Sequence, residues 1–177
     1  MVTIVQKDDP VLRATATPVE SSVFGSTELK KIIAQMEEAL EHEEDGVAIA
    51  APQIGVSKRI FVVSHRAFES DFNDDVKSSK KAKKADNLVC INPEIISMSK
   101  DRKLVPEGCL SVRWLYGNTR RSSRAKMKAY DIEGKEFVLD GRGLLAQIFQ
   151  HEIDHLNGIL FIDHARDIRD LPPEEIK

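Results

Sequence analysis

Gln150-His151-Glu152-Ile153-Asp154-His155 is the stretch on which the reading of this chain turns. It has the form H-E-x-x-H. Residues four apart on an α-helix lie one above the other on the same face. His151 and His155 can therefore present two imidazoles to one metal ion. Glu152 is rotated round the helix, where it can reach a water on that ion without being a ligand. The bland alternative is two histidines on an amphipathic helix, one packed and one solvated. Leu144, Leu145, Ile148, Ile153 and Leu156 leave little of the helix polar, so it reads as buried. Leu144 and Ile148 share a face with both histidines and could line a pocket. Asp140-Gly141-Arg142-Gly143 opens the helix, and Asn157-Gly158 ends it with a left-handed signal.

Working back from the helix, residues 125–131 alternate apolar and polar, Glu133-Gly134 signals a turn, and 135–139 reads as the return strand of a hairpin. Residues 59–64 and 88–96 read as strands, with Pro93 marking an edge, bulge or break. Leu29, Ile32, Ile33, Met36 and Leu40 give an amphipathic helix over about 27–42, capped by Ser26 or Thr27. The first 25 residues read as an irregular arm packed across the surface. Residues 45–55 are small and apolar. They form either an extended rim that pairs with a peptide through its main chain or a tightly packed internal turn. Gln53 is the amide there that can donate to an oxygen. Residues 69–87 read as a mobile polar loop, and 164–177 as a polar tail. Lys77, Lys80, Lys81, Lys83 and Lys84 could touch RNA, although a solvated loop is the simpler reading.

The chain has 177 residues, enough for one domain with a core. Lys plus Arg number 26 against 29 acids, a net charge of −3. That balance is no footprint for nucleic acid, though it leaves room for a local basic patch. No apolar run is long enough to span a bilayer, and the N-terminus is neither signal nor transit peptide. Cys90 and Cys109 are too few for a disulfide framework, which fits a reducing compartment. A catalytic zinc-type site needs three protein ligands and an open position. Downstream, His164 lies beyond the helix-ending glycine. Cys109, between Gly108 and Leu110, is the better third ligand. A Cys-His-His set suits zinc and also ferrous iron.

With these residues in place the chain resembles the peptide deformylases. Gly46-Val-Ala-Ile-Ala-Ala-Pro-Gln53 resembles that family's G-x-G-x-A-A-x-Q segment. Glu107-Gly-Cys-Leu-Ser111 and Gln150-His-Glu-Ile-Asp-His155 match its E-G-C-L-S and Q-H-E-x-D-H segments, in the same order. Pro10-Val-Leu-Arg13 and Pro18-Val-Glu20 look like its N-terminus, and the likeness runs to about Asp163.

The resemblance implies an α+β fold, with antiparallel strands packed around a central metal-binding helix and an N-terminal amphipathic helix beside them. It implies one catalytic domain over 1–177. The implied reaction removes the formyl group from the formyl-methionine of new polypeptides, releasing formate. Cys109, His151 and His155 would hold one divalent metal, with Fe(II) native and zinc, nickel or cobalt able to substitute. Glu152 would act as base and then acid on a metal-bound water. Gln53 and the Leu110 N–H would hold the oxyanion. Leu144, Ile148 and the His151 ring would take the methionine side chain. Gly46, Val47, Ala48 and Ile49 would form the rim that holds the peptide. The implied partners are nascent formylated chains; transient ribosome association through the lysine loop could coexist with catalysis, and no membrane and no specific nucleic acid are expected. The implied compartment is the bacterial cytoplasm, or an organelle for a mature form.

Two departures stand out. Ala48 occupies a position that is usually Gly in the family, and Val112-Arg113-Trp114-Leu115-Tyr116-Gly117 replaces a segment that often carries Pro and Gly. Both put specificity in doubt more than activity. The rival readings are a zinc endopeptidase that would use His164 and a non-catalytic module with a structural metal.

Overall fold

The amphipathic pattern near the N-terminus forms helix α1, Thr27–Glu41. Ser26 Oγ accepts the Leu29 N–H at 3.2 Å and so caps it. Leu29, Ile33, Met36 and Leu40 make its buried stripe. The structure, a computed structural model, describes residues 2–69 and 86–173. The polar segment expected at 69–87 lies outside these residues except at its ends, and its lysine cluster lies wholly outside them.

Strands β1 (Ala48–Ala50), β2 (Ile60–Val63) and β3 (Leu88–Met98) are followed by β4 (Arg102–Gly108) and β5 (Leu115–Ser122). Strands β6 (Arg124–Tyr130) and β7 (Glu136–Arg142) form the expected hairpin, and β8 (Arg166–Asp170) comes last. A single-turn helix α2, Arg66–Glu69, follows β2, and the H-E-x-x-H helix is α3, Gly143–Leu156. One antiparallel sheet runs in the order β1-β2-β3-β6-β7, and a second in the order β4-β5-β8. At Asn92-Pro93 the β3 register shifts between Ile91 and Glu94, which is the break that Pro93 signalled.

Period-two alternation divides the core. Ala48, Ala50, Phe61 and Val63 pack with Ile148, Phe149 and Leu156 of α3. Ile49, Ile60 and Val62 face the opposite way, against Leu29, Ile33 and Met36 of α1. The first sheet is thus buried on both faces where it is shortest. Helix α3 touches β1, β2, β3, β5, β6 and β7, so antiparallel strands surround it and the architecture is α+β.

The arm ties the ends of these elements together. Val5 N–H donates to Gln53 O at 2.9 Å, and Ala16 N–H donates to Leu156 O at 2.9 Å. Gly158, at φ 74°, ends α3, where a Cβ would stand 2.5 Å from the Arg13 carbonyl oxygen. Within 164–177, read as a polar tail, residues 166–170 are a strand. Backbone pairing with β5 holds it, while all five of its side chains remain exposed. Among the described residues no helix is long and apolar enough to cross a membrane.

Candidate metal centre and active site

The centre is assembled where the end of β4 meets the buried face of α3. Gly108 closes β4, and a Cβ there would stand 2.7 Å from the Tyr116 ring on β5. Cys109 then turns out of the strand, its carbonyl accepting the Val112 N–H at 3.0 Å. Its Sγ lies 3.2 Å from His155 Nε2. The ligand atoms of Cys109, His151 and His155 all lie within 4.8 Å of one another. His164 stands apart from them, with its Nε2 3.5 Å from Asp154 Oδ2.

His151 is fixed from behind, whereas His155 Nδ1 is buried without a hydrogen-bond partner. His151 Nδ1 is 3.1 Å from Glu107 Oε2, which turns Nε2 toward the centre. Arg121 grips Glu107 with two bonds of 2.6 and 3.0 Å, and reaches Asp154 at 2.6 Å. Burial opposes charge on Glu107, but the bonds from His151 and Arg121 outweigh it and hold the carboxyl far below its ordinary range. Burial holds His155 well below its ordinary range. Glu152 is 4 % exposed, and its Oε2 is buried without a hydrogen-bond partner. Burial pushes its carboxyl up to about 7.

A sulfur and two imidazole nitrogens at this spacing fit one divalent ion, for which bonds of about 2.0–2.3 Å are usual. The unpartnered Glu152 oxygen beside them fits a group that exchanges a proton there.

A cleft of about 370 Å³ opens onto the centre. Gly46, Val47, Ala48, Gln53, Cys109, Leu110, Leu144, Ile148, His151 and Glu152 all line it. Gln53 Oε1 accepts the Ala50 N–H at 2.8 Å, which aims Nε2 at Ser111 Oγ (3.1 Å) and Cys109 Sγ (3.6 Å). β1 is an edge strand. Ser64 N–H donates to Val47 O at 2.8 Å, so the Val47 carbonyl and the main-chain groups of Ile49 point to β2 and those of Ala48 to the free edge.

Ile49 is placed differently from its neighbours. Its side chain is fully buried under α1 and absent from the cleft wall, because period two turns it away from the side that Ala48 faces. Tyr116 lines the cleft. Trp114 does not; its ring lies 4.7 Å from the Arg113 guanidinium.

The model of the polypeptide deformylase family matches residues 1–170. The chain belongs to that family. It is 37% identical to the peptide deformylase of Rhizobium meliloti (strain 1021), over 91% of this chain and 83% of that one. It is 40% identical to peptide deformylase 1 of Clostridium perfringens (strain 13 / Type A), over 89% and 92%. Among solved structures it resembles a Met-Ala-Ser-bound class I type b peptide deformylase from Acinetobacter baumannii, at TM-score 0.78 and 32% identity, covering 92% of this chain and 98% of that one. It also resembles an inhibitor complex of the Plasmodium falciparum peptide deformylase, at TM-score 0.75 and 32% identity, covering 93% and 90%.

Two features of this deformylase escaped the sequence reading. The first is the Glu107–Arg121–Asp154 network behind His151. Its signal was Glu107 and Asp154 inside two of the quoted motifs. The second is Gln150, whose amide accepts the Ser122 N–H at 2.9 Å and donates to the Ser122 carbonyl at 3.0 Å. That pair locks α3 to β5 beside the centre.

Proposed function

We propose that this chain, as one catalytic unit, hydrolyses the formyl amide of formyl-methionyl nascent polypeptides. The observation that carries the reading is the set of three donors within 4.8 Å, with the unpartnered Glu152 oxygen buried beside them.

Cys109, His151 and His155 hold a single divalent ion. When bound, the ion supplies a Lewis acid for the formyl carbonyl and makes water acidic enough to react near neutrality. Glu152 takes the proton of the attacking water and passes it to the departing amine. Gln53 Nε2 and the Leu110 N–H donate to the developing oxyanion. Leu144, Ile148 and the His151 ring receive the methionine side chain. The free edge at Ala48, flanked by Gly46 and Val47, pairs with the peptide main chain, in the manner of an added strand. The formyl group is small and the cleft narrow, which favours it over larger acyl groups. Fe(II) is the native ion, with zinc, nickel and cobalt as substitutes, and the thiolate beside iron makes the enzyme oxygen-sensitive. The setting is the bacterial cytoplasm, beside the ribosome.

The test is formate release from a short formyl-methionyl peptide by protein purified without oxygen. Turnover that disappears in Glu152→Ala while one ion stays bound is the expected result. A loaded wild-type protein without turnover would overturn the reading.

A further inference from the structure

The second sheet, β4-β5-β8, has two unlike faces. Gly117, Thr119 and Arg121 of β5 point inward and are buried, as is Glu107 of β4. The alternate face of β5 carries the exposed Arg120, the half-buried Tyr116 and Asn118, and, at its end, the buried Ser122. Register brings Leu104 opposite Arg120, Arg102 opposite Ser122, Arg169 opposite Tyr116 and Arg166 opposite Asn118. Paired residues on neighbouring strands share a face. Arg102, Arg120, Arg166 and Arg169 are all exposed. None of the four pairs with a carboxylate among the described residues, in contrast to Arg13, Arg113, Arg121 and Arg124. The carboxylate on this face is Asp167, whose Oδ2 lies 3.5 Å from the Asn118 amide. Asp170 sits opposite Leu115, on the other side of the sheet. A chain of net charge −3 thus carries a concentrated positive face.

We propose that this outward face binds structured RNA through its phosphate backbone. The charge is carried by arginine, whose planar fork matches phosphate with two parallel bonds. Four arginines on a twisted three-stranded platform suit a duplex recognised by shape. Tyr116 already packs on Gly108, so its ring offers no free stacking platform and base reading is not expected. Leu104, 52% exposed, stands on the arginine face and Ile168, 44% exposed, lies toward Gly117 on the other, which is too little apolar surface to enter a lipid layer. The face also adjoins the cleft, because Pro106, Gly108 and Tyr116 belong to these strands and line its mouth. RNA held there would leave the cleft open beside it.

The test is titration of the metal-loaded full chain with a fluorescent RNA hairpin across a salt series. Four phosphate contacts predict a slope of log K against log salt of about −3.6, or ~0.9 per contact. Arg120→Ala with Arg169→Ala lowers the slope magnitude by ~1.8, and Lys at the same positions restores it. Formate release from a short peptide, measured in parallel, is unchanged by these substitutions. That separates this inference from the hydrolase reading. Undetectable RNA binding, binding indifferent to the four arginines, or binding to anionic vesicles in place of RNA would each overturn the proposal.

Discussion

Nδ1 of His151 lies 3.1 Å from Oε2 of Glu107, and that carboxylate is itself held by Arg121. The contact fixes which imidazole nitrogen faces the centre and makes the ring a better donor. Glu107→Gln keeps the shape and removes the charge. Metal affinity, read by competition with a chelator, is expected to fall roughly 10- to 100-fold. Undiminished affinity would mean that the carboxylate does not position the ligand.

Arg121 is 7% exposed and faces two carboxylates, Glu107 and Asp154. Arg121→Ala leaves Glu107 buried with one fewer counter-charge. Breaking a buried pair from one side costs about 3–5 kcal/mol. Urea unfolding of the loaded protein should show a loss of that order. A loss under ~1 kcal/mol would place this ion pair with the exposed kind.

Cys109 and His164 are the rival third donors. Only Cys109 lies with the two histidines; His164 reaches Asp154 instead. Cys109→Ala is expected to lose the bound ion, whereas His164→Ala keeps one equivalent. Elemental analysis after desalting decides between them, and the reverse pattern would restore the endopeptidase reading.

Where the sequence was legible, a period betrayed it. Leu29, Ile33, Met36 and Leu40 spelled out α1, and residues 125–139 spelled out the β6-β7 hairpin, because each has one face that must leave water. The second sheet has no such pattern. Its buried face carries Thr119 and the ion-paired Glu107 and Arg121 where an apolar stripe would otherwise stand. β8 buries no side chain at all. Backbone ladders hold these strands, and ladders leave no mark on composition. The centre was legible because its residues are chemically rare in this chain: one exposed-side cysteine and two histidines a helical turn apart. A motif names consecutive residues, whereas a strand turns alternate ones to opposite sides, so the packing of the Ile49 side chain under α1 could not be read from the motif.

Arg113 spans two segments of the cleft mouth. It bonds Asp45 at 2.6 and 2.9 Å and Glu43 at 2.6 Å. The Arg113 bond holds the Asp45 carboxyl below its ordinary value of 3.8. A carboxyl depressed in the folded state binds its proton more readily when unfolded. Its contribution is therefore complete above pH 3.8 and is lost as pH falls through the lower folded value. Asp45 is 57% exposed at its side chain, so the contribution is small, ~1 kcal/mol at most. In Arg113→Ala the stability difference between pH 7 and pH 3 should shrink by that amount. Melting curves at the two pH values test this, and an equal difference in both proteins would sink it.

Ala48 stands on the free edge of β1 and lines the cleft. Ala48→Gly removes its methyl and loosens the strand. Freeing the backbone costs roughly 0.5–1 kcal/mol of stability. In exchange the wall recedes where a peptide would pair. KM is then expected to fall for peptides with a bulky β-branched residue after the methionine, and to stay level for alanine there. The rate constant kcat should hold, since Ala48 is neither one of the three donors nor the carboxylate that carries the proton. Steady-state kinetics on the two peptides separates the outcomes. An equal shift in KM for both would mean that Ala48 acts on the backbone of the rim and not on the width of the cleft.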